Sequence, residues 1–361
     1  MKVVTVVGAR PQFIKAAVVS HALAEQAAVS EVLVHTGQHF DHNMSDIFFD
    51  DLSIPKPQHN LGIGGGRHGQ NTGRMIEAIE TVLLDEKPDC VLVYGDTDST
   101  LATAIAAAKL LIPIVHVEAG LRSFNRAMPE EVNRILTDHC SSVLFAPSRA
   151  AMDNLANEGV PKASCHMVGD VMYDAARRFA PVAQDRSAAL LDEIGVGFGE
   201  YVLCTTHRKE NVDKPDRLRG IVAGLNASGA TIVLPLHPRT RARMSEFGIS
   251  LPPNVRVIDP IGYIEMIALE RAAAVIVTDS GGVQKEAFFH RVPCVTLREE
   301  TEWVELVEAG VNQLVGINQA QIAEAIGRPV DPALFSIDLY GGGTAARRIV
   351  ETLVDSDLAG N

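Results

Sequence analysis

Three carboxylates stand where apolar runs end in the first half of the chain. Asp96 follows "VLVY" in "YGDTDST", Glu118 follows "IPIVHV" in "HVEAGLRSF", and Glu130 opens "EEVNRILTDHC" beside Glu131. Carboxylates that converge on one edge can act as a general base and a general acid on opposite faces of a substrate. Each also has a plain structural reading. Asp96 can be a helix N-cap, and Glu130 and Glu131 can simply favour the positive end of a helix. His116, two residues before Glu118, is an ionisable group inside an apolar run, which is rare unless it is paired or functional.

A second set of residues is cationic or backbone-rich. "GARPQFIK" carries Arg10 and Lys15 into a helix start, where an anion is favoured; both also read as ordinary surface charges. It is not GxGxxG, so the dinucleotide fingerprint is missing. "TTHRKEN" supplies His207 and Arg208, and "PLHPRTR" supplies His237 and Arg239; together they point to an anion site. "VTDSGGVQKEA" runs from a strand through Asp279-Ser280-Gly281-Gly282 into a helix. Two glycines admit a close ligand, and the helix start offers N–H groups to a phosphate. Glu286, one turn on, can accept the two hydroxyls of a ribose. Ser280 is not read as a nucleophile, because residue 278 is Thr where the nucleophile elbow needs Gly.

The elements that must position these groups follow from the apolar pattern. Continuous β-branched runs at 3–7, 31–37, 90–96, 112–120 and 142–148 alternate with helical stretches, and the rhythm restarts at 201–207, 231–237, 255–260, 274–280 and 293–299. Strands that are apolar on both faces belong to parallel sheets covered by helices. The expected fold is α/β, with two Rossmann-like domains facing a cleft. The expected divisions are 1–169, an N-terminal domain with the carboxylates; 170–340, a second domain with the anion cradle; and 341–361, a terminal helix free to pack back on the first domain. In such sheets ligands bind beyond the carboxyl ends of the strands, where all these residues fall.

The bulk composition narrows the function. The chain has 361 residues, 45 acidic against 32 basic, and a net charge of -13. That balance argues against a nucleic-acid binder. No apolar run of membrane-spanning length occurs. Five scattered cysteines without a CxxC pair suit a reducing cytoplasm and neither a disulfide framework nor a structural zinc site.

Taken in order, "GARPQFIK", "TGQH", "VYGDTDST", "HVEAGLRS", "MPEEVNR", "VGD", "THRKEN", "PLHPRT", "VTDSGGVQKEA" and "TEWVELVEAG" resemble the non-hydrolysing UDP-N-acetylglucosamine 2-epimerases, over essentially the whole chain. "EAGLRSFN…MPEE" and "REETEWVELVEAG" look closest to the branch acting on UDP-2,3-diacetamido-2,3-dideoxyglucuronate. The resemblance implies a glycosyltransferase-B architecture, a homodimer, a UDP-sugar substrate and no metal or cofactor. It implies that Asp96, Glu118 and Glu130 are the acid/base carboxylates. Lys15 and Arg10 would lie by the phosphates and sugar, and His207 would assist departure of the diphosphate. Arg208, His237, Ser280, Gly281 and Gly282 would hold UDP, with Glu286 on the ribose, Tyr263 near uracil, and Thr301 and Glu302 beside the sugar.

One departure concerns an activator site, which in bacterial members uses an Arg-Gln pair. Gly65 and Gly66 stand there, and "QHFDH" replaces a "QHREM" type sequence. A uronate substrate would want a further cation, for which Arg122, Arg126 and Arg298 are candidates, each equally readable as a salt-bridge partner. Rival readings are a hydrolysing epimerase, a UDP-sugar-dependent glycosyltransferase of the same fold, and a nucleotide-sugar binding protein without activity.

Overall fold

The computed structural model describes residues 1–38, 52 and 54–356. The chain forms two compact units: Met1–Arg178 together with the segment from Asp338 onward, and Phe179–Ile337. The helix Val171–Ile194, with Pro181 inside it, runs from one unit into the other.

Unit 1 is built on β1 (Lys2–Val7), β2 (Ser30–His35), β3 (His59–Asn60), β4 (Cys90–Tyr94), β5 (Ile114–Val117), β6 (Val143–Ala146) and β7 (Cys165–Met167). They pair in parallel in the order β3-β2-β1-β4-β5-β6-β7. Val3, Val4, Val6 and Val7, and all of β4, are buried, as the continuous runs require. Each fully buried valine or leucine contributes roughly 1.5–3 kcal/mol. Helices α1 (Arg10–Ala24), α2 (His68–Glu86), α3 (Asp98–Lys109), α4 (Pro129–Cys140) and α5 (Arg149–Asn157) cover the sheet.

Unit 2 repeats the plan with β8 (Val202–Thr205), β9 (Ile232–Pro235), β10 (Val255–Ile258), β11 (Val275–Thr278), β12 (Cys294–Thr296) and β13 (Asn312–Leu314), ordered β10-β9-β8-β11-β12-β13 and all parallel. Both sheets reverse direction of strand order beside their first strand. The reversal falls between β1 and β4 in unit 1, and between β8 and β11 in unit 2. Loops leaving neighbouring strands part there and open a crevice for ligands.

The segment from Asp338 completes unit 1. Asp174 accepts hydrogen bonds from the Ala345 and Ala346 N–H groups at 3.0 Å, so it caps the helix Ala345–Asp355. That helix packs on α1 and buries Ile349, Val350 and Leu353.

Candidate active site

In unit 1 the turn after β1 is organised by Gln12. Its side-chain oxygen accepts from Gly8 and Ala9 N–H (2.8 and 3.1 Å), and its amide donates to the Tyr94 carbonyl and Thr100 Oγ1 (both 2.9 Å). The ends of β1 and β4 are thereby tied together. The backbone donors expected to face an anion at "GARPQ" are instead taken by this side chain, which leaves Arg10 and Lys15 as the cations of the turn.

Asp96 lies just beyond β4. It is not the N-cap: Thr97 is, accepting from Thr100 N–H. Asp96 meets the Arg134 guanidinium through Nε (2.9 Å) and Nη2 (2.8 Å), and its backbone carbonyl accepts from Asn133 (2.9 Å). Glu118, just beyond β5, pairs with Lys15 of α1. Both side chains of that pair are nearly buried. Glu118 has φ +72°, a left-handed backbone that costs a non-glycine residue roughly 1–2 kcal/mol. Such strain gathers at functional sites. Gly95, at φ +62°, makes room for the pair, since a Cβ there would stand 3.2 Å from both Glu118 Oε2 and Lys15 Nζ. His116 is fully buried beneath it, with Nδ1 2.7 Å from Asp138 Oδ1 and Nε2 2.8 Å from the Gly95 carbonyl. It therefore fixes the turn that carries Asp96.

The two glutamates opening α4 part company. Glu131 is buried and accepts from the Ser123 and Phe124 N–H groups, the Ser123 hydroxyl and Arg134. Burial would raise its carboxyl, but these donors outweigh burial and hold it below the usual carboxylate range. Glu130 is exposed. Of the neighbouring arginines, Arg122 is committed to Asp138 and Glu158, both at 2.7 Å, whereas Arg126 is exposed.

In unit 2 the organiser is Asp279, beyond β11 and fully buried. It accepts from Thr206 Oγ1 (2.9 Å), His207 N–H (3.1 Å), Arg208 N–H (3.2 Å) and Asn211 Nδ2 (3.1 Å). The loop after β8 is thereby fastened to the end of β11. The His207 imidazole is exposed, with Nδ1 3.6 Å from Asp279 and its ring centre 6.2 Å from that of His237.

Ser280 caps α6 (Gly281–Phe289), and its Oγ accepts from Val283 N–H. Its hydroxyl hydrogen stays available to donate. The Gly281 and Gly282 N–H groups have no partner within the helix. A Cβ on Gly281 would stand 3.5 Å from Trp303 Nε1, 3.7 Å from Glu302 Oε2 and 3.9 Å from Arg208 Nη2, so these side chains ring the helix start.

Glu302 is held by Arg298 (2.9 and 3.0 Å). Burial would raise its carboxyl, and the arginine overcomes that and lowers it. Thr301 Oγ1 donates to Gln284 (2.7 Å). Glu286 and Tyr263 are buried.

Sequence reasoning passed over Gln12, Arg134, Asp279 and Gln284 as organisers. A Gln four residues past a strand-end Gly, and an Asp just before a Ser N-cap, are the signals that mark two of them.

The chain matches the UDP-N-acetylglucosamine 2-epimerase family over residues 21–354. It belongs to that family. Its relatives include the UDP-2,3-diacetamido-2,3-dideoxy-D-glucuronate 2-epimerase of Pseudomonas aeruginosa, 55% identical over 98% of this chain and 99% of the relative. Among solved structures, UDP-GlcNAc 2-epimerase from Methanocaldococcus jannaschii in complex with UDP-GlcNAc and UDP has a TM-score of 0.87 at 41% identity, covering 99% of this chain and 100% of that one. UDP-GlcNAc 2-epimerase from Neisseria meningitidis bound to UDP-GlcNAc gives 0.89 at 32% identity over 99% and 100%. The protein is thus a 2-epimerase with two Rossmann-like domains of glycosyltransferase-B type.

Where bacterial members carry the Arg-Gln activator pair, Gly65 has φ +73°, and a Cβ on Gly66 would meet Asn71 Oδ1 at 2.5 Å. The backbone favours glycine at position 65, and at position 66 a side chain would have to displace that of Asn71. Residues 39–42 of "QHFDH" lie outside the described residues.

Proposed function

We propose that this epimerase inverts C2 of a UDP-2,3-diacetamido uronic acid, interconverting the glucuronate and mannuronate forms. The C2 proton of a 2-acetamido sugar is barely acidic, because no carbonyl adjoins C2. Breaking the C1–O bond to UDP draws electrons toward C1 and acidifies that proton. A carboxylate takes the proton, a C1=C2 double bond forms, and a 2-acetamidoglucal remains beside UDP. A proton returned to the opposite face of C2, with UDP adding back to C1, gives the epimer.

The roles divide as follows. Asp96, Glu118 and Glu130 exchange protons with the sugar. Lys15 pairs with Glu118 beside the sugar. His207 and Arg10 stabilise the departing diphosphate, together with the N–H groups of Gly281 and Gly282. Arg208, His237 and Ser280 hold UDP, Glu286 takes the ribose, Tyr263 lies by uracil, and Thr301 and Glu302 lie by the sugar. Arg126 is assigned to the C6 carboxylate, because Arg122 and Arg298 are occupied by their own carboxylates. The route calls on no metal or redox cofactor. The reading includes a cytoplasmic homodimer, which the resemblance supports, and light scattering checks the dimer.

One observation carries the reading. Asp96 and Glu118 leave the ends of adjacent strands β4 and β5, each with a fixed cation beside it. A glycosyltransferase or a binding protein has no use for that pair. The test incubates the enzyme in D2O with the UDP-diacetamidouronate or with UDP-N-acetylglucosamine, followed by NMR. The reading expects a C2 epimer deuterated at C2, formed faster from the uronate. Accumulating free UDP identifies a hydrolysing enzyme, and absence of exchange with both sugars overturns the proposal.

A further inference from the structure

The first turn of the cradle helix holds a buried amide that takes no part in the roles assigned above. Gln284, on α6, is fully buried. Its Nε2 donates to the Ser280 carbonyl (3.3 Å). Its Oε1 accepts from Thr301 Oγ1 (2.7 Å) and from Asn312 Nδ2 (3.0 Å). Asn312, at the start of β13, accepts in turn on Oδ1 from Thr296 Oγ1 of β12 (2.7 Å). One side chain thus ties α6 to β13 and to the segment that follows β12.

The direction of these bonds is fixed. A backbone carbonyl can only accept, so the Gln284 nitrogen must face Ser280 and its oxygen must face Thr301. Thr301 therefore spends its hydroxyl hydrogen on Gln284. The Trp303 N–H, which can only donate, takes one of the hydroxyl's lone pairs at 3.2 Å. Toward a ligand, Thr301 is left with one lone pair and no hydrogen. It can accept from an N–H or a hydroxyl, and it cannot donate to a carboxylate.

The tie also governs what surrounds the helix start. Residues 297–303 form neither helix nor strand, so side-chain bonds have to hold them. The Arg298–Glu302 pair closes the segment on itself, and the Gln284 amide joins it to α6 through Thr301. Glu302 and Trp303, next in the chain, are two of the side chains that ring Gly281. Packing alone does not call for an amide here, since an apolar side chain is buried at lower cost.

We propose that Gln284 is a positioning residue that fixes Thr301 as the acceptor for a donor on the sugar, an acetamido N–H or a hydroxyl, and not for the uronate carboxylate. This rests on the placement of Thr301 beside the sugar.

The test combines steady-state turnover of the UDP-diacetamidouronate by the full chain with its inhibition by UDP and by UDP-N-acetylglucosamine. Thr301→Val, Gln284→Leu and Gln284→Met should each lower kcat/KM about five- to tenfold, the scale of one hydrogen bond. Each should weaken UDP-N-acetylglucosamine by a similar factor and leave UDP within about twofold. Thr301→Ser, which keeps the hydroxyl, should stay within about twofold of the wild type throughout. Thr301→Val combined with Gln284→Leu should be no worse than Thr301→Val alone, because both changes remove the same contact. A purely structural role for Gln284 would weaken UDP as well and would add to the effect of Thr301→Val.

An unchanged kcat/KM in Thr301→Val overturns the placement of Thr301 beside the sugar, and this proposal with it. A loss in Thr301→Val that the Gln284 variants do not share, or losses that add, overturns this proposal alone. So does a loss confined to the uronate that spares UDP-N-acetylglucosamine, since the carboxylate would then be the partner. The two apolar variants of Gln284 break the same contact, so misfolding of one leaves the other to decide.

Discussion

The two units share one strand order and put opposite chemistry at its reversal point. In unit 1 the carboxylates Asp96 and Glu118 stand beyond the strands with cations beside them. In unit 2 the strand-end carboxylate, Asp279, is turned inward and consumed by N–H groups, and what surrounds the helix start is Arg208, Trp303, two glycines and a Glu302 carboxylate already bound by Arg298. The topology places side chains at a ligand edge; what a carboxylate does there depends on whether the backbone has already claimed it. On the proposed reading, unit 1 moves protons and unit 2 holds the diphosphate.

That division can be broken by substitution. Asp96→Asn or Glu118→Gln should lower the rate of C2 deuterium exchange by about 10²–10⁴, the usual worth of acid–base catalysis, while UDP affinity stays within about twofold. If calorimetry shows UDP weakened as much as turnover, the two units do not divide the work.

Asp279→Asn is expected to act the other way. It should weaken UDP by about tenfold and cost about 3 kcal/mol of stability in urea unfolding, because several buried donors lose a charged acceptor. Its kcat at saturating substrate should fall far less than in Asp96→Asn.

Two buried glutamates sharpen the contrast through pH. Glu131 in unit 1 titrates below its unfolded value, so its stabilisation is full above the unfolded carboxylate pKa and is lost as pH falls through the lower folded one. Glu131→Gln should therefore lose about 2 kcal/mol at pH 7, with the gap to wild type closing in acid. Glu270 in unit 2 titrates above its unfolded value, so its contribution is present in acid and is lost as pH rises past the unfolded pKa. Glu270→Leu should gain about 1 kcal/mol on the wild type at pH 7, and less at pH 4. Urea midpoints across that range read both slopes.

The sequence displayed the parallel sheets because strands such as 3–7 and 90–94 are apolar on both faces. It did not display β3, β7 or β13. These are two or three residues long, and their short edge pairings leave no apolar run to read. Strand-end residues were legible as a class, but their individual states were not. Glu130 and Glu131 look alike in "PEE", and only the path of residues 123–124 decides which is buried. Asp96 looks like a cap because the residue that caps, Thr97, is its neighbour. Asp279 was overshadowed by the Ser-Gly-Gly that follows it, and its role depends on a loop more than 70 residues earlier in the chain.

The capping of the helix Ala345–Asp355 by Asp174 has a consequence for the order of assembly. Unit 2 is an insertion in unit 1, so the apolar partner of α1 emerges from the ribosome only after residues 179–337 have been made. The nascent first unit must therefore carry an uncovered apolar face on its earliest helix throughout synthesis of the second. Lys15, which pairs with Glu118, lies on the helix that this late segment packs against.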